Sequence, residues 1–144
     1  MFTETLAGNL RLADPDATDG ALVAALDAVG AGTDGLDTAL GPLVDDARIQ
    51  QIALARVLLA DPPVVVVLDE ATAHGGAGGS LDAAVRAAIR GRTAIIVAHR
   101  FTQVATADHI VVLERGRIRE QGTHADLVGR ADGAYARLHR AAVG

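Results

Sequence analysis

Three side chains in this 144-residue sequence have the types and placing that phosphate chemistry needs. Asp69 and Glu70 follow the β-branched run Val64–Leu68, and His99 follows the second apolar run "TAIIVA". One carboxylate can hold Mg²⁺ through water, a second can polarise an attacking water, and an imidazole can sense a terminal phosphate. Each residue also has a plain structural reading. Strands that end in Asp-Glu are common, and a lone histidine after a strand is more often a hydrogen-bonded structural residue. Order and combination, rather than any one residue, make the three a candidate site.

The elements that must position them can be read from periodicity. The sequence up to Arg11 reads as irregular. "DATDGALVAALDAVGAG" reads as a short helix capped by Thr18 or Asp16, with Leu22, Leu26 and Val29 as its stripe and Gly30 just past its end. Gly32 to Pro42 is loop-rich. "DDARIQQIALARVLLADPP" predicts a longer helix, capped by Asp45 or Asp46 and stopped by Pro62. Its broad apolar face would comprise Ile49, Ile52, Leu54, Val57 and Leu58.

Val64–Leu68 and Thr93–Ala98 read as fully buried strands. Between them, Gly75–Gly79 is expected as a flexible loop. Ser80 would cap a helix ending near Arg90, with Leu81, Val85 and Ile89 on one face. "HIVVLERGRIREQG" predicts two short strands around a turn at Arg115 and Gly116. Thr123 opens a helix with Asp126 three residues on, and a last amphipathic helix carries Tyr135 and Leu138. Strands alternating with helices imply α/β layering with a mainly parallel sheet, whose ligands meet the carboxyl ends of its strands.

Composition narrows the function. The apolar fraction is 50% and the aromatic fraction 2%, so the core must be aliphatic. All 13 basic residues are arginine, and the net charge of −5 argues against a nucleic-acid footprint. With no cysteine, disulfides and thiolate metal sites are excluded. No apolar run is long enough to span a bilayer, and the start lacks a basic n-region and an apolar core. The expectation is a soluble, cytoplasmic chain.

The ordered segments "IQQIALARVLLADPPVVVVLDEAT", "GRTAIIVAHR" and "DHIVVLERGRIREQGTHADL" resemble the nucleotide-binding domain of an ABC transporter of the exporter type. The resemblance runs from "NLRL" to "YARLHR". It implies a partial P-loop NTPase core, with a mainly parallel sheet, a C-terminal β-hairpin and a partial helical subdomain. Residues 1–144 would form one incomplete domain, with about 1–60 the helical remnant and 61–144 the Walker B and switch-histidine half. Asp69 matches the Walker B aspartate that holds magnesium, Glu70 the catalytic glutamate and His99 the switch histidine. The implied cofactors are ATP and Mg²⁺. The implied partners are a transmembrane domain and a second nucleotide-binding domain, at the inner face of the membrane.

The departures matter equally. A phosphate cradle needs a Gly-rich loop ending in Lys-Ser or Lys-Thr, and this sequence has no lysine. The expectation is that the sequence begins just after the family's Q-loop glutamine, so that about half of the domain is missing. Counted back from "IALAR", the signature positions are Val44, Asp45, Asp46, Ala47 and Arg48 rather than LSGGQ. Two carboxylates there suit a helix cap and repel a triphosphate, by about 1 to 4 kcal/mol per charge pair at about 4 Å. Where the family's D-loop carries Leu-Asp stand Gly75 and Gly76. His74 reads as loop filler, and His109, His124 and His139 show no metal-ligand spacing and are assigned no function. The expected outcome is weak MgATP binding, if any, and no turnover by this chain alone.

Overall fold

A computed structural model describes residues 5–33, 35–41, 44–62, 64–68, 78–97 and 101–143. The chain divides into two compact units, Met1–Val97 and Ala98–Gly144.

The first unit opens with α1 (Leu6–Arg11), where the sequence reads as irregular. Six residues are too few for a helix to hold itself, so tertiary contacts must supply its stability. The Thr5 hydroxyl accepts from the Gly8 N–H at 3.1 Å. The Leu6 and Ala7 N–H groups donate to the Thr38 and Leu36 carbonyls at 2.8 and 2.9 Å. Leu6 and Leu10, one turn apart, are both fully buried. The next helix, α2 (Asp19–Ala28), follows its sequence: Thr18 caps it, Leu22, Ala25 and Leu26 are buried, and Gly30 adopts a left-handed φ of 65°.

α3 (Asp46–Ala60) begins at the cap Asp45 and ends at Asp61, itself left-handed. Its buried residues are Gln51, Ile52, Leu54 and Ala55. At 3.6 residues per turn these four share one arc, and Ile49 lies just beyond its edge. That corrects the expected apolar face, because Ile49 is 48% exposed. Gln51 sits near the middle of the arc. Its amide donates to the Val29 and Gly30 carbonyls at 3.2 and 3.1 Å, satisfying the end of α2.

β1 (Val64–Leu68), α4 (Gly78–Ile89) and β2 (Thr93–Val97) make a β-α-β unit. The strands pair in parallel, with Val64 opposite Thr93 and Leu68 opposite Val97. α3 packs between α2 and α4, and one core joins these helices with the half-buried Ile96. Two expectations are corrected here. Gly78 and Gly79 belong to α4, so Ser80 lies inside the helix and does not cap it. The strands are not fully buried, because Val65 is 3% exposed but Val64, Ile95 and Val97 are 48%, 57% and 48% exposed. Among the described strand residues, Ile96 packs against the helical core, on the face of β2 opposite Ile95 and Val97.

The second unit contains α5 (Phe101–Val104), absent from the sequence reading, then β3 (Ile110–Glu114) and β4 (Arg117–Gly122). These strands form the expected antiparallel hairpin, with a bulge after Val112. Arg115 and Gly116 make the two-residue turn with φ of 50° and 75°. Positive φ at both positions matches the turn's hand to the strand twist. α6 (His124–Val128) starts with the predicted capping box of Thr123 and Asp126, and α7 (Ala134–Val143) follows. Tyr135 is buried, whereas Leu138 is 54% exposed. The core of this unit is Ile110, Leu127 and Tyr135, with Phe101, Val104 and Val112 against it.

Candidate functional site

Strand register builds the frame of the candidate site. With Leu68 opposite Val97, the two parallel strands finish level with each other. In sequence, Asp69 and Glu70 come directly after Leu68, and His99 is the second residue after Val97. Asp69, Glu70 and His99 themselves lie outside the described residues, as do His74 and the Gly75–Gly76 positions of the D-loop. The β-branched run supplies the strand propensity. The αL residue Asp61 and Pro62 end α3 just before it, so the strand starts where the helix must stop.

A residue missed by the sequence reading braces this frame. The Arg92 guanidinium donates to the Ala88 carbonyl at 2.9 Å and to the Asp61 carboxylate at 2.5 Å. It therefore ties the end of α4 to the end of α3 immediately before β2. The only available signal was a basic residue at a helix C-terminus, which is too common to single out.

The signature position is fully described. The Asp45 carboxylate accepts the Arg48 N–H at 2.7 Å, and Asp46 lies exposed in the first turn. A hollow of about 470 Å³ opens beside it, lined by Leu6, Thr38, Val44, Asp45 and Arg48 among others. A helix start binds an anion through unpaired N–H groups and the positive end of the dipole. Here one of those N–H groups is already taken by the helix's own carboxylate. The residues present at this edge therefore do not fit a triphosphate. The donor set after the strands, two carboxylates and an imidazole, has the chemistry to fit magnesium and phosphate.

Acidic side chains in the second unit serve helix ends. Glu120 accepts the Tyr135 and Ala134 N–H groups at 3.0 and 2.8 Å, and these bonds hold its carboxyl below the usual range. Asp126 is lowered likewise, first by the Thr123 hydroxyl at 2.7 Å and then by the Thr123 N–H. Burial pushes the Tyr135 phenol up. Among the described residues, no three of His, Cys, Asp and Glu gather into a metal-binding group, and no helix is long and apolar enough to cross a membrane.

Comparison with known proteins places this architecture. No family model matches. The chain is 40% identical to an ATP-dependent lipid A-core flippase of Thiobacillus denitrificans over 151 residues, covering 96% of this chain and 26% of the relative. It is 38% identical to the ATP-dependent lipid A-core flippase of Ralstonia nicotianae, with 97% and 26% covered. Among solved structures, a bacterial Atm1-family ABC exporter with ATP bound superposes with a TM-score of 0.84 at 28% identity, covering 100% of this chain and 27% of that one. The chain thus spans about a quarter of the length of each of these proteins. A parallel β-α-β unit, a following antiparallel hairpin and these matches along nearly the whole chain agree: it belongs with the ATP-binding domains of ABC exporters, as a partial ABC ATPase core.

Proposed function

We propose that this chain is the Walker B and switch-histidine part of an exporter's ATP-hydrolysing domain, and that it is catalytically incomplete by itself. The level ends of β1 and β2 carry the proposal most directly, because Asp69, Glu70 and His99 follow them in sequence. The likeness to exporters named as ATP-dependent, or solved with ATP bound, supports it. In this reading Asp69 would hold the magnesium that accompanies ATP. Glu70 accepts a proton from the attacking water, and His99 donates a hydrogen bond toward the terminal phosphate. MgATP, when bound, supplies the electrophilic phosphorus. The phosphate-binding loop must come from another polypeptide segment, since this sequence contains no lysine. The partners would be a transmembrane domain and a second ATP-binding domain at the cytoplasmic face of a membrane.

Asp45 favours a second reading, a non-catalytic module that packs against a transporter subunit. Its carboxylate occupies a donor at the helix start that would otherwise face nucleotide. Calorimetry with MgATP on the purified chain tests incompleteness. Negligible heat is expected, and micromolar binding would refute it. Pull-down of a cognate membrane subunit separates the two readings. For the non-catalytic module, Asp69→Ala, Glu70→Ala and His99→Ala leave capture unchanged and nucleotide has no effect on it.

A further inference from the structure

Two histidines with no significant spacing in the sequence meet in the folded second unit. His124, the first residue of α6, and His139, on α7, have ring centroids 5.4 Å apart with planes inclined at 65°. Both side chains are half-buried. The Nδ1 of His124 lies 2.8 Å from the Tyr135 hydroxyl. Phe101 flanks Tyr135 and His139, with centroids at 5.4 and 5.5 Å.

We propose that His124 and His139 form a two-imidazole site for a divalent transition-metal cation of the zinc, nickel or copper class, clamping α6 to α7. The spacing is the first support. A metal 2.0–2.1 Å from an imidazole nitrogen lies roughly 3.2 Å from the ring centre, and two such rings at a tetrahedral angle have centres about 5.2 Å apart. The observed centroid separation of 5.4 Å is compatible with such a pair. The second support is the Tyr135 hydroxyl. A metal-binding histidine almost always directs its other ring nitrogen to a hydrogen-bond partner, which fixes the tautomer. The 2.8 Å contact admits the tautomer in which Nδ1–H donates to the Tyr135 oxygen, and in that tautomer the Nε2 lone pair of His124 is available to a cation. Two protein donors leave the remaining coordination positions to water, so the affinity is modest and rises toward copper. A cation that binds only the folded arrangement also stabilises it.

Glu120 on β4 accepts the Ala134 and Tyr135 N–H groups at the start of α7 through both of its oxygens. It is committed to that helix end, so the site is assigned imidazole donors only.

Tyr135 is the sole tyrosine and tryptophan is absent, so intrinsic tyrosine fluorescence reports this cluster alone. Titration of the 144-residue chain with Cu²⁺ or Ni²⁺ is expected to quench that emission saturably. His139→Ala should weaken the midpoint by roughly tenfold or more, and His109→Ala should leave it unchanged. Because a variant can disturb packing, the unsubstituted chain is also titrated with Zn²⁺ by NMR. The imidazole C–H resonances of His124 and His139 should shift together, and those of His109 should not. Equal midpoints for His139→Ala and the parent chain, absence of saturable quenching at millimolar metal, or shifts at His124 without His139 would each overturn the site.

Discussion

The Asp45 carboxylate accepts the Arg48 backbone N–H at 2.7 Å, capping the start of α3. The carboxylate caps its own helix, as its residue type and place in the sequence predict. Asp45→Ala removes this cap and should cost about 1 kcal/mol of stability, whereas Asp45→Ser should be nearly neutral. Denaturant melts of both variants check this. A helix insensitive to Asp45→Ala would show that the bond contributes nothing.

Gln51 is the counterpart inside the core. Its amide serves the Val29 and Gly30 carbonyls from a largely buried position. Gln51→Leu keeps the volume but strands two acceptors, with an expected loss of about 1–3 kcal/mol. An unchanged urea midpoint would mean that water replaces the amide.

Acid sensitivity follows from Glu120 and Asp126. Both carboxyls are held below their usual values by hydrogen bonds made in the folded state. Their contribution is therefore complete above the unfolded-chain values near 4.5 and 3.8 and is lost as pH falls through the lower folded values. Glu120→Gln should weaken the fold at neutral pH and flatten its decline below about pH 4.5. Thermal melts from pH 7 to pH 2 read this directly, and parallel curves for variant and parent would count against it.

The proposed chemistry predicts a result that depends on complementation. Mixed or co-expressed with a segment that carries Gly-x-x-x-x-Gly-Lys-Ser/Thr from a related exporter, the chain should gain ATPase activity. Glu70→Gln should then reduce turnover by about 10²–10⁴-fold while nucleotide binding persists. Turnover by the chain alone would refute its incompleteness, and full activity of Glu70→Gln in the complemented pair would remove Glu70 from its role.

Features that a few neighbouring residues determine were legible. Thr18, Asp45 and the Thr123–Asp126 box cap where the sequence places caps, because each bonds a partner only three positions away. The hairpin turn at Arg115 and Gly116 was readable for the same reason. α1 was not, since its six residues depend on Leu36 and Thr38, about 30 positions on. Burial of the strands was overestimated, because a β-branched run specifies a strand but not how many layers cover it. Of the candidate site, the two strands that lead to Asp69, Glu70 and His99 could be read, and the structure adds their parallel register.

By itself, then, the sequence determined the order of the longer elements, the caps and turns, the aliphatic character of the first unit's core, and the acid pair and histidine that carry the family likeness. These depend on residue type and on spacings of a few positions. Tertiary structure decided which face of β2 stays open, that Gln51 and Arg92 serve distant helix ends, and that His124 and His139 meet across α6 and α7. Those relationships join residues separated by as many as 31 positions, as Arg92 and Asp61 are, where only packing of complete elements fixes a distance.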